Sequence, residues 1–273
     1  MSTQTSEIPN PVTAARLRKW KQRDQKFACL TAYDASFANA VDRAGVDVIL
    51  VGDSLGMVIQ GHQTTVPVTM DHMVYHCQLV ARGCRRALLM VDMPFMSFAT
   101  PAQALDNAAR LMREGLAHMV KLEGGGEQSE TVRQLSSRGI PVCAHIGLQP
   151  QSIHKLGGYR VQGRQEGQAR IMLEDARTLE AAGAEMLVLE CVPFGLARTI
   201  TQALSIPVIG IGAGPHCDGQ ILVLHDLIGV TPGKRPRFSK DFLLETGTIQ
   251  GALEAYVDAV REGRFPAMEH CFE

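Results

Sequence analysis

The chain has 273 residues, 45% of them hydrophobic and 20% charged, with a formal net charge of -1. That length suits one large α/β unit, and the balanced charge excludes nucleic acid or an anionic membrane as a partner held by bulk electrostatics. The N-terminus lacks the apolar core of a secretory leader, and no apolar stretch approaches the roughly 18 residues of a membrane span, so a cytoplasmic location with no membrane partner is expected.

Residues 1–12 are rich in Ser, Thr, Pro and Asn and read as a loose N-terminal tail. Residues 13–273 read as one catalytic domain. Its first element, Thr13 to Arg23, is a basic helix with Leu17 and the only tryptophan, Trp20. Its small apolar face suits covering the bottom of a barrel better than binding a membrane.

A regular beat follows. Phe27 to Ala32 reads as a strand and Ser36 to Ala44 as a helix ended by Gly45. Val46 to Val51 is the second strand, a Gly, His and Thr-rich loop spans Gly56 to Val68, and Met70 to Arg82 is helical. Leu88 to Val91 is the third strand, and Pro101 to Arg113 a helix with Thr100 as its N-cap. Met119 to Leu122, Ile140 to Ile146, Glu185 to Leu189, Pro207 to Ile211 and Ile221 to His225 complete eight strands. Helices are expected at Gln128 to Arg138, Arg170 to Ala182, Phe194 to Leu204, Lys240 to Leu244 and Ile249 to Glu262. About eight strand-helix units over about 250 residues fit a (β/α)₈ TIM barrel with an N-terminal capping helix better than an open doubly wound sheet. In an open sheet, a Gly-x-Gly-x-Gly such as Gly210 to Gly214 belongs near the first strand. After the seventh strand of a barrel it is either a phosphate cradle or a tight turn.

The strand ends carry the chemistry. Asp53, Asp92, Glu123 and Glu190 each close an apolar run, and a parallel barrel gathers such ends at one mouth. Lys121 and Glu123 are two apart on one strand and share a face; His145 extends the arc. Clustered carboxylates without a cysteine or histidine pair are hard oxygen ligands suited to Mg²⁺. Such an ion chelates a 2-oxo acid and stabilises an enolate, with Lys121 and His145 neutralising substrate charge and Glu190 moving the proton. Gly52 and Gly56 read as backbone that lets metal and substrate approach closely. The segment from Gly147 to Gln168 is long for a connector and reads as a functional loop or lid.

The seven cysteines are odd in number, scattered and without a C-x-x-C pair, which argues against a disulfide framework or a zinc site. Cys191, next to Glu190, is a possible nucleophile to which the sequence assigns no base.

Seven strings, in order, are more specific: Leu-Thr-Ala-Tyr-Asp at 30 to 34, Val-Gly-Asp-Ser-Leu-Gly-Met at 51 to 57, Asp-Met-Pro-Phe-Met at 92 to 96, Val-Lys-Leu-Glu-Gly-Gly at 120 to 125, His-Ile-Gly-Leu-Gln-Pro-Gln at 145 to 151, Leu-Glu-Cys-Val-Pro at 189 to 193 and Ile-Gly-Ile-Gly-Ala-Gly at 209 to 214. Together they closely resemble the ketopantoate hydroxymethyltransferase family. The resemblance implies a Mg²⁺-dependent barrel of the phosphoenolpyruvate mutase and isocitrate lyase superfamily. It implies transfer of a one-carbon unit from 5,10-methylenetetrahydrofolate, the co-substrate, to 3-methyl-2-oxobutanoate, giving 2-dehydropantoate. On the matching positions, Asp53 and Asp92 are the expected metal acids, with Glu123 bound directly or in the metal's outer environment. Asp53, Ser54, Asp92, Lys121 and His145 are the expected substrate contacts and Glu190 the catalytic proton-transfer residue. A homo-oligomer, commonly a decamer, is implied by the resemblance alone. The basic loop Gly233 to Arg237 is read either as a solvated loop or as a contact for the folate tail.

Three other readings compete. A lyase or mutase of the same superfamily is one, although the Lys-Lys-Cys-Gly-His string of the lyase branch is missing. A Schiff-base aldolase using Lys121 is a second. A non-enzymatic scaffold or sensor on a decayed barrel is the third, and the intact acids argue against it.

Overall fold

The computed structural model describes residues 10–231 and 233–273. Its strands are β1 (Phe27–Thr31), β2 (Val48–Val51), β3 (Leu88–Asp92), β4 (Met119–Glu123), β5 (Val142–Gly147), β6 (Met186–Glu190), β7 (Val208–Ile211) and β8 (Gly219–Leu222). They pair in parallel and in chain order, and β8 returns to β1 to close the barrel. Helical segments separate successive strands except β7 and β8, which residues 212–218 join by turns.

Two-residue alternation divides the strand side chains between two apolar layers. Phe27, Cys29, Val48, Leu50, Leu88, Met90, Met119, Cys143, Met186, Val188, Ile209 and Ile221 fill the barrel. The intervening Ala28, Leu30, Ile49, Leu89, Val120, Ala144 and Leu187 face outward into the larger core shared with the helices. The interior row therefore continues, two residues further along each strand, to Asp92, Lys121 and Glu123, His145, and Glu190. The same parity that buries the apolar residues aims the acids inward.

The helix Ala14–Lys21 closes the opposite end, with Leu17 wholly buried in the interior cluster beside Phe27 and Met186. The barrel and its capping helix match the expectation. Of the tail expected over residues 1–12, residues 1–9 lie outside the described residues. Val12 is buried and its N–H donates to the Arg86 carbonyl at 2.8 Å, so the packed chain has begun by Val12. Among the described residues, no helix is long and apolar enough to cross a membrane.

One strand was misplaced by sequence. The eighth was expected at Ile221 to His225, whereas β8 spans Gly219–Leu222 and Leu224–Leu227 is helical. Gly219 and Gln220 do not look like strand residues, but the ring of Phe27 occupies the space a side chain at 219 would need: a Cβ there would stand 2.4 Å from Phe27 Cε2. The helix expected from Arg170 begins earlier, at Glu166. That at Lys240 to Leu244 forms instead as one turn, Leu243–Thr246.

Candidate active site

The structure brings all seven site residues expected from the sequence to one cavity of about 560 Å³: Asp53, Ser54, Asp92, Lys121, Glu123, His145 and Glu190. Strand register explains the neighbours. Asp92 lies opposite Lys121, and Lys121 Nζ stands 2.9 Å from Asp92 Oδ1. Glu123 lies opposite His145, with His145 Nδ1 3.6 Å from Glu123 Oε1 and 3.1 Å from Lys121 Nζ. His145 Nε2 approaches Glu190 Oε2 at 3.2 Å. Asp92 Oδ2 accepts the backbone N–H of Asp53 at 3.0 Å, which locks the end of β2 to the end of β3.

Four buried or nearly buried acids here share one lysine. Burial, reinforced by Asp92, pushes the Asp53 carboxyl up to about 7. Burial also lifts Glu190 to about 8, against the opposing Lys121 charge and with Asp53 and Asp92 adding to the rise. Glu123 is raised well above the ordinary carboxylate range, again chiefly by burial. Burial and the Lys121 charge hold His145 well below its usual range, so its imidazole is neutral near pH 7. For Lys121, burial favours the neutral amine, but Asp92, Glu123 and Asp53 outweigh it and raise the ammonium above its ordinary value. An amine held protonated is a charge partner and a poor Schiff-base nucleophile.

The donor set fits a hard divalent cation. Asp92 Oδ1 is buried against the Lys121 ammonium at 2.9 Å, and that one lysine charge faces Asp53 and Glu123 as well. Uncompensated carboxylate charge in a buried mouth is what such a cation would neutralise. Among the described residues, no three His, Cys, Asp or Glu side chains already stand as a coordinating group. Glu123 is instead engaged by His145 and by the Gln151 N–H, which donates to its Oε2 at 3.1 Å.

Two residues of the site were not singled out from the sequence. The Tyr33 hydroxyl, just past β1, shares a 2.9 Å hydrogen bond with Ser54 Oγ and fixes that side chain. Gln151, on the turn Pro150–Ser152 after β5, donates from Nε2 to Asp53 Oδ2 at 2.8 Å and to the Met93 carbonyl at 2.9 Å. Both lie inside the resembling strings, but nothing about an isolated Tyr or Gln marks it as part of a carboxylate site.

Other expectations divide. A Cβ on Gly52 would stand 2.7 Å from Ser54 Oγ and 3.5 Å from Asp92 Oδ2, so this glycine keeps the strand end open beside the acids. Gly56 serves packing instead: its Cβ would meet Val68 Cγ2 at 2.6 Å, away from the acids. The run Gly210 to Gly214 is the end of β7 followed by a turn packed against aromatic side chains, with positive φ at Gly212 and Gly214. Cβ atoms there would meet Phe238 and Phe272 at 3.0–3.1 Å and Phe194 at 2.5 Å. The Cys191 thiol is buried and burial pushes it well above the ordinary thiol range, which leaves it without nucleophilic thiolate character. All seven cysteines are free thiols.

A closed parallel barrel whose strand ends deliver acids, a lysine and a histidine to one buried mouth is an enzyme of the TIM-barrel class. Solved structures share this fold. A phosphoenolpyruvate phosphomutase from Streptomyces platensis aligns over 86% of this chain and 88% of its own, with a TM-score of 0.61 and 15% identity. A 2,3-dimethylmalate lyase, a PEP mutase/isocitrate lyase superfamily member, aligns over 77% and 80%, with a TM-score of 0.55 and 16% identity. At such identity the likeness shows the fold alone. Within that class, the chain belongs to the ketopantoate hydroxymethyltransferase family, whose model matches residues 11–268. It is 64% identical over 262 residues to the 3-methyl-2-oxobutanoate hydroxymethyltransferase of Alkalilimnicola ehrlichii, covering 96% of this chain and 95% of that one. The enzyme of the same name from Marinobacter nauticus is 61% identical over 96% of this chain and 99% of its own. The chain is accordingly a hydroxymethyltransferase of pantothenate biosynthesis.

Proposed function

We propose that this enzyme transfers the one-carbon unit of 5,10-methylenetetrahydrofolate to C3 of 3-methyl-2-oxobutanoate, giving 2-dehydropantoate, with Mg²⁺ at the barrel mouth. The observation that carries this reading is the convergence of Asp53, Asp92, Glu123 and Glu190 on one lysine in a single cavity. Asp53 and Asp92 would hold the cation and Glu123 would act from its outer environment, in keeping with the few protein carboxylates Mg²⁺ takes. When bound, the cation supplies Lewis-acid stabilisation of the charge that develops on the 2-oxo oxygen.

The chain's own residues do the rest. Lys121 and Ser54 bind the 2-oxo acid, and the neutral imidazole of His145 orients it and Glu190. Glu190 takes the C3 proton as a carboxylate; its high pKa makes it a base matched to neutral pH. The carbon that loses its proton forms the new C–C bond to the methylene carbon. Net turnover consumes one water, which supplies the hydroxyl oxygen, and releases tetrahydrofolate. Lys234, Arg235 and Arg237 line the outer part of the same cavity and would face the anionic tail of the folate. A homo-oligomer and a cytoplasmic location belong to the same reading and rest on family resemblance and on composition.

The test is exchange of the C3 proton of 3-methyl-2-oxobutanoate with deuterated water, followed by NMR with and without Mg²⁺ and with and without folate. Exchange that needs Mg²⁺ but not folate is expected. Undiminished exchange in excess chelator would overturn the reading.

A further inference from the structure

The segment after β5 reaches back across the mouth through one residue. Gln151 is 6% exposed, and its carboxamide nitrogen donates both to Asp53 Oδ2 at 2.8 Å and to the Met93 carbonyl at 2.9 Å. Its backbone N–H donates to Glu123 Oε2 at 3.1 Å. The orientation of the carboxamide follows from chemistry: the Met93 carbonyl can only accept, so the NH₂ end must face it. One residue thus fastens the ends of β2, β3 and β4 to a turn that follows a different strand, β5. The two donors also occupy one oxygen of Asp53 and one of Glu123, leaving the second oxygen of each carboxylate to other partners.

We propose that Gln151 is a positioning residue that presets Asp53 and Glu123 for the divalent cation and ties the segment after β5 to the occupied site. The proposal rests on the cation reading above. Hydrogen-bond partners outside a coordination shell fix the rotamers of the acids inside it, and their loss typically weakens metal binding about 10- to 100-fold. A bond from the Gln151 side chain to Asp53 also holds the following stretch, including exposed Lys155 and Arg160, against the mouth.

The test is calorimetric titration with Mg²⁺ alone, without either organic substrate, of the parent chain and of Gln151→Met, which keeps the volume and removes the donor. The expected result is a Kd raised about 10- to 100-fold in Gln151→Met, with Mg²⁺ slowing tryptic cleavage after Lys155 and Arg160 in the parent but not in the variant. Gln151→Asn, which withdraws the donor by one methylene, carries the same expectation and serves if Gln151→Met does not fold. Binding within twofold of the parent in either folded variant would overturn the positioning role. Absence of Mg²⁺ binding in the parent itself would overturn the cation reading, and this inference with it.

Discussion

The two ends of the barrel treat buried carboxylates in opposite ways. At the N-terminal end, Asp47, wholly buried just before β2, accepts from Arg86 at 2.8 Å, Arg261 at 3.2 Å and the Ala28 N–H at 3.1 Å. Asp218, just before β8, accepts from Lys21 at 2.7 Å and from the Val208 N–H at 2.8 Å. Each of these two acids is answered by at least one cation and a backbone donor, which is how a buried charge is made tolerable. At the C-terminal mouth, Asp53, Asp92, Glu123 and Glu190 share Lys121, and burial raises three of them. The first end is built to hold the chain together. The second holds charge in reserve for a cation and a proton.

The largest expected effect is at the proton. Glu190→Gln keeps shape and hydrogen-bonding reach but cannot accept the C3 proton, so kcat should fall about 10²- to 10⁴-fold while 2-oxo acid binding is retained. Steady-state kinetics with a binding titration check this, and near-parental turnover would remove Glu190 from its role.

Charge removal should then have opposite signs at the two ends. Asp47→Asn leaves Arg86 and Arg261 around a group that no longer neutralises them, and should cost about 3–5 kcal/mol of stability with Mg²⁺ affinity unchanged. Asp53→Asn removes a repelled charge and should stabilise the metal-free protein by on the order of 1 kcal/mol, while abolishing most Mg²⁺ binding. Denaturant melts at about pH 8, where Asp53 is mostly charged in the parent, read both variants. The same sign for both would erase the contrast.

pH separates the ends without mutation. Unfolded carboxylates release their protons near pH 4, whereas folded Asp53 and Glu190 keep theirs to about 7 and about 8. Between those limits the folded state binds more protons at these two groups than the unfolded one does. The contribution of these groups to stability is therefore lost as pH rises. The metal-free protein should melt at a lower temperature at about pH 8 than at about pH 5.5, and Mg²⁺ should recover more at the higher pH. A metal-free melting temperature that rises across this window would contradict the assignment of unrelieved charge to the mouth.

Much of this architecture was legible because it follows from periodicity. Apolar runs, four of them ending in acids, placed seven strands within a residue or two, and the two-residue alternation that set Lys121 and Glu123 on one face is the alternation that fills the barrel with Met90, Met119 and Met186. What escaped depends on contacts distant in sequence. Gly219 forms a strand because Phe27 fills its side-chain space, 192 positions earlier in the chain. Gln151 matters because Asp53, Met93 and Glu123 meet there, on three different strand ends. Neither partner set leaves a local pattern. Gly56 was misread for the same reason: its neighbour Val68 lies across a loop.

The smallest expected effect lies at the rim, where cations outnumber acids and the contrast with the acid floor can be sharpened. Arg235 stands 3.7 Å from Asp241 Oδ2, and Arg237 donates to the Glu269 carbonyl at 2.9 Å while lying over the Phe272 ring. These are exposed or edge contacts, and each ion pair of this kind is worth about 0.2–1 kcal/mol. Three of them on an anionic folate tail would supply about 1–2 kcal/mol, or about 5- to 30-fold in affinity. Replacing Lys234, Arg235 and Arg237 together by Ala should raise KM for the folate by that factor and more steeply at low salt, since screening already weakens exposed pairs. KM for the 2-oxo acid and the rate of C3 proton exchange depend on the floor and should stay at parental values. An unchanged folate KM would make the rim a solvated loop. A parallel rise in both KM values would show that rim and floor act as one electrostatic unit, against the division drawn from the geometry.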